Sequence, residues 1–491
     1  MAASDPAAGM VLPLDGGPAR PGLSPEEERA LREVRRRLLD VDRERPERRE
    51  EAVEWLRARV AAMGATVSPA LATEEGRARV TERLVADLLG LGPIDRFLAD
   101  PAIEDVACDG VGIPVFVHHR QLGWRSTDVV FRTDAELDGF VRQLAQRAGR
   151  SISDRSPLLE ATLPGGTRLH ATLGRSVTPR GSTFTLRRLR ESARTPFALV
   201  ASGTMSAELA AYLWLSVEAG RSLLVIGGTA SGKTTTLNAL LEFVPPDRKI
   251  VSLEDTREIR LLHEHWTPMQ TRDAPASRGA GDEAIDLFAL LAAALRQRPA
   301  YLVVGEVRGR EAHTVFQAAA TGKTCLATLH ADSLAGMIRR LESPPIGLPR
   351  PVLAAVPTVV VQRQAWTAAG PVRRLAAVVE IDGVDPDTDE IIASPVFRWD
   401  PAADRHEYVG RTRLVGRIAA MRALPPAAVE AEWRRRADWL ARAAARLPDD
   451  ERSFAVALAA YRRDPVHAGA AGGPTDHGGP AGAEDAAGAS P

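Results

Sequence analysis

The stretch SLLVIGGTASGKTTTLNALLEFV, residues 222–244, constrains the fold more than any other part of the chain. Its centre, Gly227-Gly228-Thr229-Ala230-Ser231-Gly232-Lys233-Thr234, matches G-x-x-x-x-G-K-[ST] at every fixed position, and Thr235 extends it. The apolar run before it reads as a buried strand and the text after it as a helix. Glycines let backbone N–H groups converge, and a helix N-terminus adds its positive end. That strand–loop–helix order is therefore a phosphate cradle. Lys233 is expected to reach the β and γ phosphates of a nucleoside triphosphate, and Thr234 to offer its hydroxyl to Mg²⁺. The bland alternative, a chance glycine-rich turn, does not account for the two flanks.

A second Gly-Lys-Thr, in TGKTCLATLH at 321–330, fails the same test. Six residues before Lys323, where a cradle needs its first glycine, stands Gln317. A helix precedes the stretch and a strand follows it, the reverse order. Lys233, Lys249 and Lys323 are the only lysines among 63 basic residues. Arginine bias explains most of that, and a lysine that survives it marks a place where a compact ammonium is needed.

The text around the cradle sets the fold class. SLLVIGG, KIVSLED, YLVVGEV and CLATLHA are short β-branched runs separated by helical text such as AIDLFALLAAALRQR. Alternation of this kind predicts an α/β fold with a mostly parallel sheet covered on both faces. Domain limits follow from shifts in composition. Residues 1–24 and 465–491 read as disordered tails and 25–195 as an N-terminal helical and α/β domain. The P-loop domain with an antiparallel β addition spans 196–410, and a charged helical segment 411–464, whose text reads by default as solvated faces. Ser24 with Glu27 forms a capping box at the first helix. The tetrapeptide Tyr301–Val304 reads as a strand that stops before Gly305-Glu306.

Bulk properties exclude several classes. A formal net charge of −1 over 491 residues argues against binding nucleic acid through a strong basic field. Two isolated cysteines, Cys108 and Cys325, argue against a zinc ribbon or a disulfide framework. The opening MAASDPAAGMVLPLDGG lacks the basic and apolar regions of a signal peptide, and no apolar run approaches the roughly 20 residues of a spanning helix.

In a doubly wound sheet, ligands lie at the carboxyl ends of strands. Three such ends carry chemistry: Glu254-Asp255 in VSLEDTREIRL, Glu306 in YLVVGEVRGREA, and His330 in CLATLH. Beside a Mg-nucleotide, one carboxylate can polarise water and another can hold the metal's water shell. A solvated acid or a packed histidine is the bland reading of each alone. Their order after the cradle weakens it.

GGTASGKTTTLNAL, SLEDTREIRL, RPAYLVVGEVRGREA and TGKTCLATLHADS resemble, in family order, the nucleotide boxes of the secretion ATPase superfamily. That superfamily drives type II and type IV secretion, type IV pili and archaella. IEDVACDGVGIPVFVHHR, STFTLRRLR and IDGVDPDTDEIIASPVFRWDPAADRHEY resemble the archaeal pilus and archaellum branch and its tight-adherence relatives. The likeness covers about residues 80–464.

The resemblance implies a RecA-like ATPase domain behind a smaller α/β domain, and hydrolysis of ATP with Mg²⁺. It makes Glu254 the general base, Glu306 the organiser of Mg²⁺ through water, and His330 the His-box residue. Arginines of the N-terminal domain reach nucleotide in relatives, and Arg168 and Arg187 match them. Arg188 is adjacent, and a one-residue shift decides which of the two faces the site. Lys323 stands where relatives carry histidine.

The implied assembly is a homohexamer at the inner face of the cell membrane. It acts through a polytopic platform protein on pilin-like or secreted subunits, with no nucleic acid. Alternatives are a conjugation or effector-export ATPase of the same superfamily, a nucleic-acid translocase, and a small-molecule kinase.

Overall fold

The computed structural model describes residues 23–39, 49–120, 122–188, 195–272, 284–367 and 370–465. Both tails, apart from residues 23, 24 and 465, lie outside them. The chain divides into two compact units, one up to residue 188 and one from 195 among the described residues.

The first unit opens with helices Pro25–Leu39, Arg49–Val67 and Glu74–Leu88, which bury Val34, Leu56, Val60, Val80 and Leu84 together. The capping box forms as expected: Glu27 N–H donates to Ser24 Oγ at 3.2 Å and Ser24 N–H to Glu27 Oε2 at 2.8 Å. An antiparallel sheet follows, built from β1 (Ile103–Cys108), β2 (Pro114–His119), β3 (Gly123–Val130), β4 (Leu158–Thr162), β5 (Arg168–Thr172) and β6 (Thr183–Arg187). Its order is β3-β2-β1-β6-β5-β4. Helix Asp134–Arg147 covers it with Leu137, Val141 and Leu144, against Val106, Phe184 and Leu186 of the strands.

The second unit holds β7 (Leu223–Gly227), β8 (Ile250–Glu254), β9 (Trp266–Gln270), β10 (Tyr301–Val307), β11 (Thr324–His330), β12 (Thr358–Thr367), β13 (Gly370–Val384), β14 (Ile391–Asp400) and β15 (Arg405–Tyr408). Their order is β15-β14-β13-β12-β7-β11-β10-β8-β9. From β12 to β9 every pairing is parallel, and β12 to β15 form an antiparallel extension. Every residue of β7 is buried. Leu223 and Val225 enter the core on one face of the sheet, and Leu224 and Ile226 that on the other. A strand covered on both sides is apolar throughout, which is why its text shows no alternation. The α/β class with a RecA-like parallel sheet is as expected.

Two details differ from the sequence reading. β10 continues through Gly305 and Glu306 to Val307 instead of stopping at Val304. Against β11 it steps from Val304↔Ala327 to Val307↔Leu329, so one extra residue bulges there and re-aims the chain. The charged C-terminal text also does more than present solvated faces. Helices Leu414–Arg422, Pro426–Arg446 and Glu451–Arg463 bury Ile418, Trp433, Trp439, Leu440, Phe454 and Tyr461 in the same core as Tyr212 and Trp214.

Candidate functional site

Because β7, β8, β10 and β11 run parallel, their carboxyl ends share one edge of the sheet. The loop Gly228–Gly232 leaves the central strand there and enters helix Lys233–Leu241. Glycine is required by close approach. A Cβ on Gly227 would lie 2.4 Å from the Gln362 carbonyl oxygen, and one on Gly228 would lie 3.0 Å from Asp332 Oδ1. Gly232 caps the helix at φ +101°, and Ala230 also sits left-handed at φ +57°, a conformation that costs a residue with a side chain.

The loop is satisfied by its own groups. Lys233 Nζ donates to Gly228 O at 2.9 Å, as does Ser231 Oγ at 2.9 Å. Burial holds the Lys233 ammonium below its usual pKa, and the charges of Glu306, Asp332 and Glu258 pull it back up. His330 ends the neighbouring β11, in register with Gly227, and its Nε2 lies 2.8 Å from Thr229 Oγ1. The histidine thus touches the loop itself.

Glu254 ends β8 and is 2% exposed. Its Oε1 accepts the Glu258 and Ile259 N–H groups at 2.8 and 2.9 Å, while Oε2 is buried without a hydrogen-bond partner. Burial pushes its pKa up to about 7, against the two N–H bonds that lower it. Gly305 makes the room, since a Cβ there would come within 3.0 Å of Glu254 Cγ.

On the bulge, Glu306 accepts from Arg308 Nη2 at 2.6 Å, and Arg308 Nη1 also lies 3.6 Å from Asp255. Glu311 fixes that turn by accepting the Arg308 and Gly309 N–H groups at 2.6 and 2.7 Å. Asn238 ties the P-loop helix to the segment after β8, donating to Glu258 O at 3.0 Å and accepting from Arg260 N–H at 3.2 Å.

Sequence reasoning passed over two neighbours of the loop. Gln362 on β12 accepts from Thr236 Oγ1 at 3.0 Å, and Arg373 on β13 donates to Ala230 O at 3.0 Å. Each lies more than a hundred residues from its partner, so no local pattern points to it. Asp332, two residues after His330, was within reach of the strand-end argument.

Lys323 lies outside this cluster. It precedes β11, while His330 ends it, so the seven-residue strand separates them by about 20 Å. Ser222 Oγ donates to the Lys323 carbonyl, and the second Gly-Lys-Thr is a helix-to-strand turn.

In the first unit, Arg168 and Arg187 face each other across β5 and β6, and Asp105 stands opposite Arg187 on β1. Arg187 Nε lies 3.9 Å from Asp105 Oδ1, and the side chain is exposed. Arg188 turns away, donating to Asp100 O at 2.6 Å. The structure brings Arg187, not Arg188, beside Arg168.

The glycine cradle, the Thr234 hydroxyl on its first helical turn and the orphaned Glu254 oxygen fit a nucleotide with its cation. Fold and loop together define the class as a P-loop nucleotide-binding protein. The family model described as "Type II/IV secretion system protein" matches residues 87–425, and the chain belongs to that family. This bears out the resemblance.

An uncharacterized protein of Methanocaldococcus jannaschii is 38% identical over 341 residues, which are 69% of this chain. The chain spans 61% of that relative's length. A putative conjugal transfer protein of Mycobacterium tuberculosis is 33% identical over 53% of this chain and 74% of its own. The crystal structure of the pilus retraction motor PilT with bound ADP aligns over 78% of this chain and 96% of its own, at 16% identity and a TM-score of 0.43.

Proposed function

We propose that the chain is an ATP-hydrolysing motor that works as a homohexamer. It drives assembly of a type IV pilus-like filament, or type II/IV secretion, through a membrane platform protein. The observation that carries this reading is the phosphate loop on the central strand, with a buried carboxylate oxygen lacking any partner on the same edge of the sheet. Backbone N–H groups from Gly228 to Thr235 bind the triphosphate oxygens, and Lys233 Nζ leaves the Gly228 carbonyl for the β and γ phosphates. Thr234 and, through water, Glu306 would hold Mg²⁺, which would supply charge neutralisation at the phosphates.

Glu254, fixed through Oε1, accepts the proton of a water in line with the γ-phosphorus at Oε2. His330, already on Thr229, senses the loop as the γ-phosphate leaves. Arg168 and Arg187 supply cations to nucleotide. Nucleotide loss then reopens the site, and in a closed ring such a cycle passes to a partner.

No helix of the described residues is long and apolar enough to cross a membrane. In this reading the motor works on the cytoplasmic side of the membrane, docked on its platform. The likeness to a putative conjugal transfer protein favours, as the second reading, a conjugation or effector-export ATPase.

The test is Lys233→Ala. With the ammonium gone, ATP turnover falls by at least a hundredfold, on the order of losing one transition-state donor, while circular dichroism stays unchanged. Full turnover in a folded Lys233→Ala chain would sink the assignment.

A further inference from the structure

We propose that the outer half of the β12–β13 hairpin is the base side of the nucleotide site, with Trp366 as the platform on which the base stacks. This rests on the nucleotide reading above. β12 pairs with β7 only as far as Gln362↔Gly227, where β7 gives way to the phosphate loop. Beyond that point β12 and β13 continue as a two-stranded projection, through the pairs Gln364↔Arg373 and Trp366↔Pro371. Directly opposed residues share a face, and every second pair returns to it. Gln362, Arg373 and Trp366 therefore lie on one face, in order outward from the cradle.

Two contacts fix which way that face looks. Gln362 Oε1 accepts from Thr236 in the P-loop helix, and Arg373 Nε donates to the Ala230 carbonyl. A Cβ on Gly232 would lie 3.1 Å from Arg373 Cδ and 3.5 Å from Gln362 Nε2. That amide nitrogen is buried without a hydrogen-bond partner, on a side chain 2% exposed. The opposite face is committed elsewhere, with Arg374 bonded to Asp404 and to the Ser202 carbonyl.

Trp366 stands two pairs further out, about 7 Å along the strand from the Arg373 pair, and is 79% exposed. No other large apolar side chain among the described residues is so open. A single exposed hydrophobe is ordinary, but the position of this one is specific. A triphosphate seated in the loop sends its ribose and base away from Lys233. Arg373 touches the loop at Ala230 and Gly232, and the Trp366 indole lies beyond it on the same face of the hairpin. Stacking on an aromatic face accepts any base, because every base has a π-face, so the platform binds nucleotides without choosing adenine over guanine.

The test measures binding of ATP and of inorganic tripolyphosphate, each with Mg²⁺, to the full-length chain by calorimetry. Trp366→Ala should weaken ATP by about five- to a hundredfold, the range for loss of one base stack, and leave tripolyphosphate unchanged. Trp366→Phe, which keeps an aromatic face, should retain most of the affinity for ATP. Undiminished ATP binding by Trp366→Ala would overturn the proposal. So would equal losses for both ligands, which would make Trp366 a support of the loop. A smaller assembly by sedimentation, with ATP affinity intact, would assign Trp366 to a contact between copies and equally overturn it. Wild-type chain that binds neither ligand would remove the nucleotide reading itself.

Discussion

Glu254 has its two carboxylate oxygens in different situations, and the difference defines what it can do. Oε1 is anchored by two backbone N–H groups and cannot move, while Oε2 is buried with no partner. An orphaned buried acceptor costs about 1–3 kcal/mol. Burial raises the pKa to about 7, so the folded chain holds this proton where an unfolded one has lost it. Stability contributed by Glu254 is thus full below the ordinary carboxylate range and is lost as pH rises toward 7. In its proposed role of base, Glu254 would be poised near neutral pH, where proton transfer is most effective. Turnover should follow: kcat/KM should rise with pH through about 7, because only the ionised carboxylate takes the water's proton. Glu254→Gln should bind ATP normally, lose on the order of a hundred- to ten-thousandfold in kcat, and lose that acid limb. Steady-state ATPase assays across pH check both. Normal turnover in Glu254→Gln would remove Glu254 from the chemistry.

At the scale of elements, the central strands were legible because each carries its meaning locally. β7, its loop and the following helix occupy one continuous stretch, and β8 and β11 end in the residues that face the site. What escaped depended on register between distant segments. The bulge that keeps Glu306 inside β10 arises from pairing with β11, and nothing in YLVVGEV marks it. The C-terminal helices hid their role because arginine dominates their text. Arg436 itself is buried, over the Trp214 ring at 4.3 Å and paired with Glu218 and Glu432.

The attachment of those helices converges on one residue. Glu380, buried on β13, accepts from Tyr212 Oη at 2.7 Å, Thr412 Oγ1 at 2.7 Å, and the Arg413 and Leu414 N–H groups at 2.8 and 3.3 Å. It therefore caps the start of helix Leu414–Arg422 while tying it to the sheet. Glu380→Ala strands four donors and should cost about 2–4 kcal/mol. Hydrogen exchange should quicken in residues 414–422, whereas slow, wild-type exchange there would mean that packing alone holds the helix.

Across the whole molecule the candidate cations and the candidate cradle belong to different units, and the cations form an unusual pair. Arg168 and Arg187 stand directly opposite on adjacent strands, a like-charge arrangement that costs stability. Asp105 offsets it in part, although burial raises the carboxyl's own pKa against the pull of Arg187. Two guanidinium groups side by side on an outward face suit an anion with several oxygens. In a ring built head to tail, each site is completed by a surface of the next copy, and these arginines are the groups proposed to cross that boundary. Arg187→Ala chains should then be nearly inactive, and so should Lys233→Ala chains. Mixed in equal amounts and allowed to assemble together, the two should recover roughly a quarter of full turnover, because random neighbours restore one interface in four of a head-to-tail ring. The intact sites pair the P-loop of an Arg187→Ala copy with the arginine of a Lys233→Ala copy. A mixture that stays as inactive as the two variants alone, with no recovery at any ratio, would confine Arg187 to its own subunit or remove it from the site.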